Sequence, residues 1–333
     1  MDTNNTSIHV MFNISSCDGV FLSLNGHCVY WQDVAINAFI FLLGFCIIAT
    51  NFWIVWILFS RIKDEDNSLF IIQNLAVADT FTGFIVIYDS IYNVMQFSVY
   101  VECVLRIGLF ISCSLASVFI ITVLTLERLI KISNSYTYRK YISIKRTRIG
   151  LIIVWMTSLV VGLLPFFGWS SKNVLYLCSF FRTMSKSYII FVLTIHVTPF
   201  LCTLCAYLWM VTVVRRHVIA IRHTRGTGRG RNRRGSISRA VMTTLIVVGV
   251  YFLCWAPIGL FTILVLVFEL DRHLTGNWSA DVVFTYLLIL AVINCLCNPL
   301  IYAFKLDIVR RQFRSSFLFR CFASCRRNSG QFQ

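Results

Sequence analysis

Apolar residues run through this chain in long blocks separated by short polar stretches. Seven blocks stand out, at 34–59, 69–93, 103–126, 149–168, 188–214, 241–268 and 281–304. Each reaches the roughly 20 residues that a helix needs to cross a bilayer, whose hydrocarbon offers no water to exposed backbone groups. They are too long for barrel strands and lack strict alternation, so the pattern predicts helices. The expected fold class is an all-α membrane protein, a seven-transmembrane helix bundle over 34–304. Short connections and the lack of a repeat period leave no second folded domain.

Two polar segments have their own pattern. Thr224 to Gly235 is rich in Gly and Arg, buries almost nothing, and predicts a flexible connection between the fifth and sixth spans. After the last span, residues 305–320 place Leu306, Val309, Phe313, Phe317 and Leu318 among Arg310, Arg311, Arg314 and Arg320. That spacing predicts an amphipathic eighth helix lying on the inner leaflet, followed by a short tail within 305–333.

Charge fixes the orientation. Only Arg106, Lys172, Arg182, Lys186 and Arg272 of the 30 Lys and Arg escape the cytoplasmic side if residues 1–33 lie outside. An extracellular N-terminus and a multi-pass plasma-membrane location follow as expectations. Asn4, Asn5 and Asn13 then begin glycosylation acceptors on the outer side, as does Asn277 in the last outer loop. The first residues carry no basic or apolar leader pattern, so the first span is expected to direct insertion. A formal charge of +16 concentrated beside the inner leaflet favours anionic lipid and an intracellular partner over nucleic acid.

The 13 cysteines show no metal-ligand spacing. Cys103 and Cys178 fall on the outer side, where an oxidising lumen allows a disulfide, and Cys17 with Cys28 is a candidate second pair. Cys321 and Cys325, beside Phe and Arg past the last span, are palmitoylation candidates. His196 has no acid within helical reach and reads as a satisfied pocket or lipid-edge residue.

Polar groups inside the spans need a reason, because a bilayer makes them expensive. Asp79 sits mid-span, Glu127-Arg128 ends the third span, and Asn51, Ser117, Asn294 and Asn298 recur in the first, third and seventh. With Asn74-Leu75-Ala76-Val77-Ala78-Asp79, Trp155, Cys254-Trp255-Ala256-Pro257 and Asn298-Pro299-Leu300-Ile301-Tyr302, the chain resembles the rhodopsin-like (class A) G-protein-coupled receptors from the first span to the tail helix. The resemblance implies a receptor rather than an enzyme, with no cofactor, coupled to a heterotrimeric G protein and handled by receptor kinases and arrestin.

The same resemblance implies residue roles. Asp79, Ser117, Asn294 and Asn298 match a sodium pocket, an oxygen-rich set that suits a hard cation. Trp255 matches the rotamer switch below the ligand, and Pro257 the kink of the sixth helix. Pro199 matches the fifth-helix bulge, and Tyr207 the tyrosine that meets Tyr302 in the active state. Arg128 matches the arginine that enters the G-protein groove, and Tyr136 the plug of the second inner loop.

Departures shape the expected signal. The usual Asp-Arg-Tyr reads Glu127-Arg128-Leu129, and Ile237 stands where many relatives carry an acid facing the arginine. Without that latch, ligand-independent signalling is expected.

Elimination narrows the ligand. Phe110 replaces the aspartate of amine receptors, Val292 the lysine of opsins, and Thr262 with Gly259 the Asn and His that bind nucleoside in adenosine receptors. The presumed lining is Phe110, Ile111, Phe180 and Phe181, then Phe191, Ile195, Ile258, Phe284 and Leu288, with Ser114, Thr262 and Thr285 as small polar groups. Such a lining suits an apolar ligand oriented by a few hydrogen bonds. Arg106 stands at its mouth, either gripping a head group or snorkelling to the interface.

Ile47-Ile48-Ala49-Thr50-Asn51 and Cys178-Ser179-Phe180-Phe181 resemble receptors of the glucose-dependent insulinotropic, lipid-amide and lysolipid-binding type, near the adenosine, cannabinoid and lysophospholipid receptors. That likeness implies a stimulatory G protein and cAMP. Ser236, after Arg233-Arg234-Gly235, is a candidate for a cAMP-dependent type of kinase. A transporter or channel predicts inverted repeats or a charged pathway, and the sequence has neither.

Overall fold

A computed structural model describes residues 20–24, 27–61, 66–95, 99–171, 178–223, 229–268, 280–306 and 309–311. An antiparallel hairpin, β1 (Val20–Leu24) and β2 (His27–Tyr30), leads into α1 (Trp31–Arg61). Then come α2 (Asn67–Met95), α3 (Tyr100–Ser133), the short α4 (Ser135–Tyr141) and α5 (Ile144–Leu163). A 3-10 turn (Leu164–Phe167) and the one-turn α6 (Phe180–Thr183) precede α7 (Lys186–His223), α8 (Arg229–Phe268) and α9 (Ala280–Lys305).

Among the described residues, α1, α2, α3, α5, α7, α8 and α9 are long and apolar enough to cross a membrane, one for each apolar block of the sequence. Side chains such as Phe59, Trp209, Leu253 and Phe304 form an exposed apolar outer surface, the condition of a bundle whose solvent is lipid. The central rod is α3: 72% of its most apolar stretch is buried, against 22% for α5.

Small residues bring the central helices close, as expected where lipid removes the hydrophobic drive between them. Gly108 of α3 faces Gly162 of α5, and a Cβ on either would run into the other's backbone. Trp155 of α5 donates from Nε1 to Asn74 Oδ1 on α2 at 3.3 Å. Asn134 caps α4 by accepting from the Tyr136 and Thr137 amides, and the Ser143 hydroxyl caps α5. Gly168 ends the 3-10 turn at φ 111°, in the left-handed region.

Three apolar clusters fill the interior. One, including Leu75, Ile121, Val248 and Tyr302, occupies the end that carries Arg128. A second joins α1, α2 and α9 through Ile47, Val86 and Val292. The third packs Ile111 and Leu115 of α3 on Tyr188, Ile189 and Val192 of α7, at the end that carries Cys103.

Two expectations change. The Gly- and Arg-rich connection is helical from Arg229 onward, because arginine is a good helix former and extending a formed helix is cheap. Leu306 and Val309 pack into the cluster around Tyr302 instead of facing a leaflet. Arg310 and Arg311 continue a helical turn from Val309, and residues 307–308 and 312–320 of the predicted eighth helix lie outside the described residues. So do Asn4, Asn5, Asn13, Cys17, Asn277, Cys321 and Cys325, and the side chains of Cys28, Ser236 and Ile237.

Candidate ligand cavity and transmembrane switch

A polar knot lies halfway along the bundle. Asp79 of α2 is fully buried, accepting from Ser117 Oγ of α3 at 3.3 Å and from Asn298 Nδ2 of α9 at 2.9 Å. Asn51 of α1 donates to the Ile47 and Cys295 carbonyls, each at 3.0 Å, tying α1 to α9. The buried Oδ1 atoms of Asn294 and Asn298 accept from no protein group. The Asp79 carboxylate, the Ser117 hydroxyl and the unused Asn298 amide oxygen lie together in one buried place, and the buried Asn294 Oδ1 on the same helix as Asn298 is also unused; such oxygens match the donors that a hard cation such as sodium takes. The residues present therefore fit that ion.

Toward the disulfide end opens a cavity of about 710 Å³. Trp255 and Tyr251 line its depth, with His196 stacked on Trp255 at 6.1 Å between ring centres. The His196 ring is held on both sides, by Ser114 Oγ at 3.2 Å and by the Val192 carbonyl at 3.0 Å. Phe180 and Phe284 stack across the mouth at 4.8 Å and 5°. Phe110, Ile111, Ser114 and Ile258 line the walls, together with Thr262, Thr285 and Leu288.

Three residues expected in that wall are elsewhere. Phe181 packs behind Phe180 and Phe284, Phe191 lies against Trp169 at 5.0 Å, and Ile195 joins the α3–α7 cluster. Asp89, Asn93 and His196 line the cavity instead. Asp89 was legible as a charge within an apolar block, and His196 takes the first of the two places expected for it, pocket rather than lipid edge; nothing local distinguished Asn93.

Arg106 lines the cavity from α3. It is 5% exposed, in contact with Asp89 of α2, and its Nε donates to Glu102 Oε1 at 3.0 Å. Its guanidinium also covers the Tyr92 ring at 4.2 Å and touches Cys178 Sγ. It is thus neither a snorkelling surface cation nor a free one. The other cation of the lining, Arg182, lies 3.6 Å from Asp281. Cys103 and Cys178 form a disulfide with Cα atoms 5.8 Å apart, fixing the loop that carries Phe180 to the head of α3.

At the opposite end, Glu127 is almost fully occupied. Ser68 Oγ donates to both its oxygens at 2.9 Å, Tyr138 donates at 2.7 Å, and Lys131 lies at 3.7 Å. Burial pushes the Tyr138 phenol up to about 12, so it stays a donor across the physiological range. Arg128 keeps a 3.6 Å contact to Glu127, and its buried Nε makes no hydrogen bond. Tyr136 is 75% exposed on α4, whereas Tyr302 is buried with Tyr207 packed on the same cluster. Pro199 lies inside α7 and Pro257 inside α8, each removing one backbone donor from its helix.

Comparison with known proteins agrees with this arrangement. Residues 50–302 match the family model of the 7 transmembrane receptor (rhodopsin family). The sheep (Ovis aries) adenosine receptor A3 is 23% identical over 89% of this chain and 92% of its own. The human (Homo sapiens) G-protein coupled receptor 12 is 26% identical over 79% of this chain and 75% of its own. Rat (Rattus norvegicus) G-protein coupled receptor 3 is 24% identical over 72% and 70%. Seven spanning helices, a buried acid knot, a cavity above it and a family match across three quarters of the sequence converge: the chain belongs to the rhodopsin family of seven-transmembrane receptors.

Proposed function

We propose that this receptor answers to a lipid-like ligand without net negative charge and signals through a stimulatory G protein and cAMP, with activity in the absence of ligand. The cavity carries the reading: its lining is mostly aliphatic and aromatic, and both of its cations already face carboxylates. An anionic head group would have to displace Asp89 or Glu102 from Arg106, whereas a neutral polar head meets Ser114, Thr262 and Thr285 at no such cost. The sequence likeness to lipid-amide and lysolipid receptors supports the same class.

In this reading the disulfide end faces outward and Arg128 faces the heterotrimer, with Tyr136 exposed to meet it. Basal activity is supported by the state of Arg128, whose acidic neighbour is engaged by Ser68 and Tyr138. Sodium held by Asp79, Ser117, Asn294 and Asn298 would favour the resting form. Ser236 phosphorylation, Cys321 and Cys325 acylation, and engagement by receptor kinases and arrestin belong to the same proposal.

The test measures cAMP in cells expressing the receptor, with and without a panel of neutral and anionic single-chain lipids. Basal cAMP above mock-transfected cells, a rise with neutral lipids only, and loss of both in Arg128→Ala are expected. A response confined to anionic lipids, or none above mock, overturns the reading. Likeness to an adenosine receptor over most of the chain favours a nucleoside as the second reading. Adenosine belongs in the panel, although Thr262 and Gly259 offer it neither amide nor imidazole.

A further inference from the structure

The cavity wall is not closed all round. Two stripes of its lining are at least partly exposed: Leu193, Val197 and Leu201 on α7, and Ala256, Leu260 and Ile263 on α8. Their spacings are i, i+4, i+8 and i, i+4, i+7, so each stripe is one helix face. Leu201 is 52% exposed, Leu260 60% and Ile263 40%, though all three line the cavity. Beside them a Cβ built on Gly259, also in the lining, meets nothing within 4 Å.

The gap is bounded at both ends. Toward Arg128, Phe200 of α7 closes on Phe252 and Tyr251 of α8, at 4.4 Å and 5.7 Å between ring centres. Toward the disulfide, Leu266 of α8 packs on the cluster around Tyr188, Ile189 and Val192. Between these contacts, with Leu201 at the Arg128-side edge, the two stripes form a slot whose residues carry no polar side chain, within the membrane-crossing parts of both helices.

At that depth the medium outside the slot is hydrocarbon, and whatever fills an apolar opening there must itself be apolar. We infer that the slot between α7 and α8 is a lateral portal, through which the hydrocarbon tail of a single-chain membrane lipid passes from the bilayer into the cavity. The inference rests on the lipid-ligand reading above and adds a route to it. A ligand already concentrated in the leaflet reaches the cavity without crossing the lid formed by Phe180 and Phe284.

The test uses the full-length receptor in phosphatidylcholine nanodiscs and a monooleoylglycerol probe with a diazirine in its acyl chain. Adducts are mapped by mass spectrometry with and without excess unlabelled monooleoylglycerol. Competable labelling is expected at the two stripes and at cavity residues such as Phe110. Gly259→Trp and Leu201→Trp, which narrow the slot from opposite helices, each reduce cavity labelling about tenfold. Leu253→Trp, on the lipid face of α8 but outside the lining, leaves it unchanged. Full cavity labelling in both narrowing variants overturns the portal while sparing the lipid reading. Absence of competable cavity labelling in the unaltered receptor overturns both.

Discussion

A cation beside an apolar cavity meets a ligand in competition with its own neighbours, and Arg106 has several. Asp89, Glu102, the Tyr92 face and the Cys178 sulfur surround it, so it fastens α2, α3 and the disulfide loop together. Arg106→Ala would strand two carboxylates. Removing one member of a buried pair costs about 3–5 kcal/mol, and the partial exposure of Asp89 lowers the expectation to about 2 kcal/mol. Melting of the purified receptor should fall accordingly, and adding Asp89→Asn and Glu102→Gln should restore part of the loss. A full loss without that recovery would mean that Arg106 acts by other means. Asp79, Glu127 and Arg128 were legible because a charge in an apolar block announces itself. The neutralisation of Arg106 was not, since Asp89 lies 17 positions away (106 − 89) and meets it only across two helices. Glu127 makes a second residue-scale case. Ser68→Ala with Tyr138→Phe frees its carboxylate for Arg128, and basal cAMP should drop about fivefold, the equivalent of about 1 kcal/mol. Because the folded Tyr138 phenol is raised above its unfolded value, its stabilising bond is present below pH 10. It is lost only as pH climbs through about 12, so basal signalling should show no inflection from this group between pH 6 and 9.

Among the elements, every spanning helix was legible as an apolar block, since length and the lack of charge decide the matter in a bilayer. Their ends were less so: α7 and α8 continue beyond their blocks, where helix propensity rather than hydropathy keeps the backbone bonded. Nor did the sequence show which faces meet. Gly108 and Gly162 look alike among 16 glycines, yet only in the fold do they allow the backbones of α3 and α5 to touch. Gly162→Ala places a methyl group onto Ser112 and the Gly108 carbonyl, and overpacking of this kind costs about 1–3 kcal/mol. A melting temperature lower by about 2–4 °C per kcal/mol is expected, whereas Gly150→Ala, which meets open space, should leave it unchanged. Equal behaviour of the two variants would refute the close approach.

Across the whole molecule, the acid knot connects the cavity to the Arg128 end through α2, α3 and α9. If sodium occupies it, basal nucleotide exchange by the G protein in membranes should fall as sodium replaces potassium. Asp79→Asn should abolish that dependence while the receptor still reaches the surface. Sodium sensitivity surviving in the variant would place the ion elsewhere. The outward opening of such bundles is a two-state matter, in which a ligand acts only by preferring one form. Proportion then matters as much as affinity. Pro257 divides the 40-residue α8 into arms of about 42 Å and about 16 Å at 1.5 Å per residue. Were α8 to rock about that proline as a see-saw does, the long arm would magnify any movement of the short one about 2.5-fold, so that an ångström of adjustment beside the ligand becomes about 2.5 Å at the far tip.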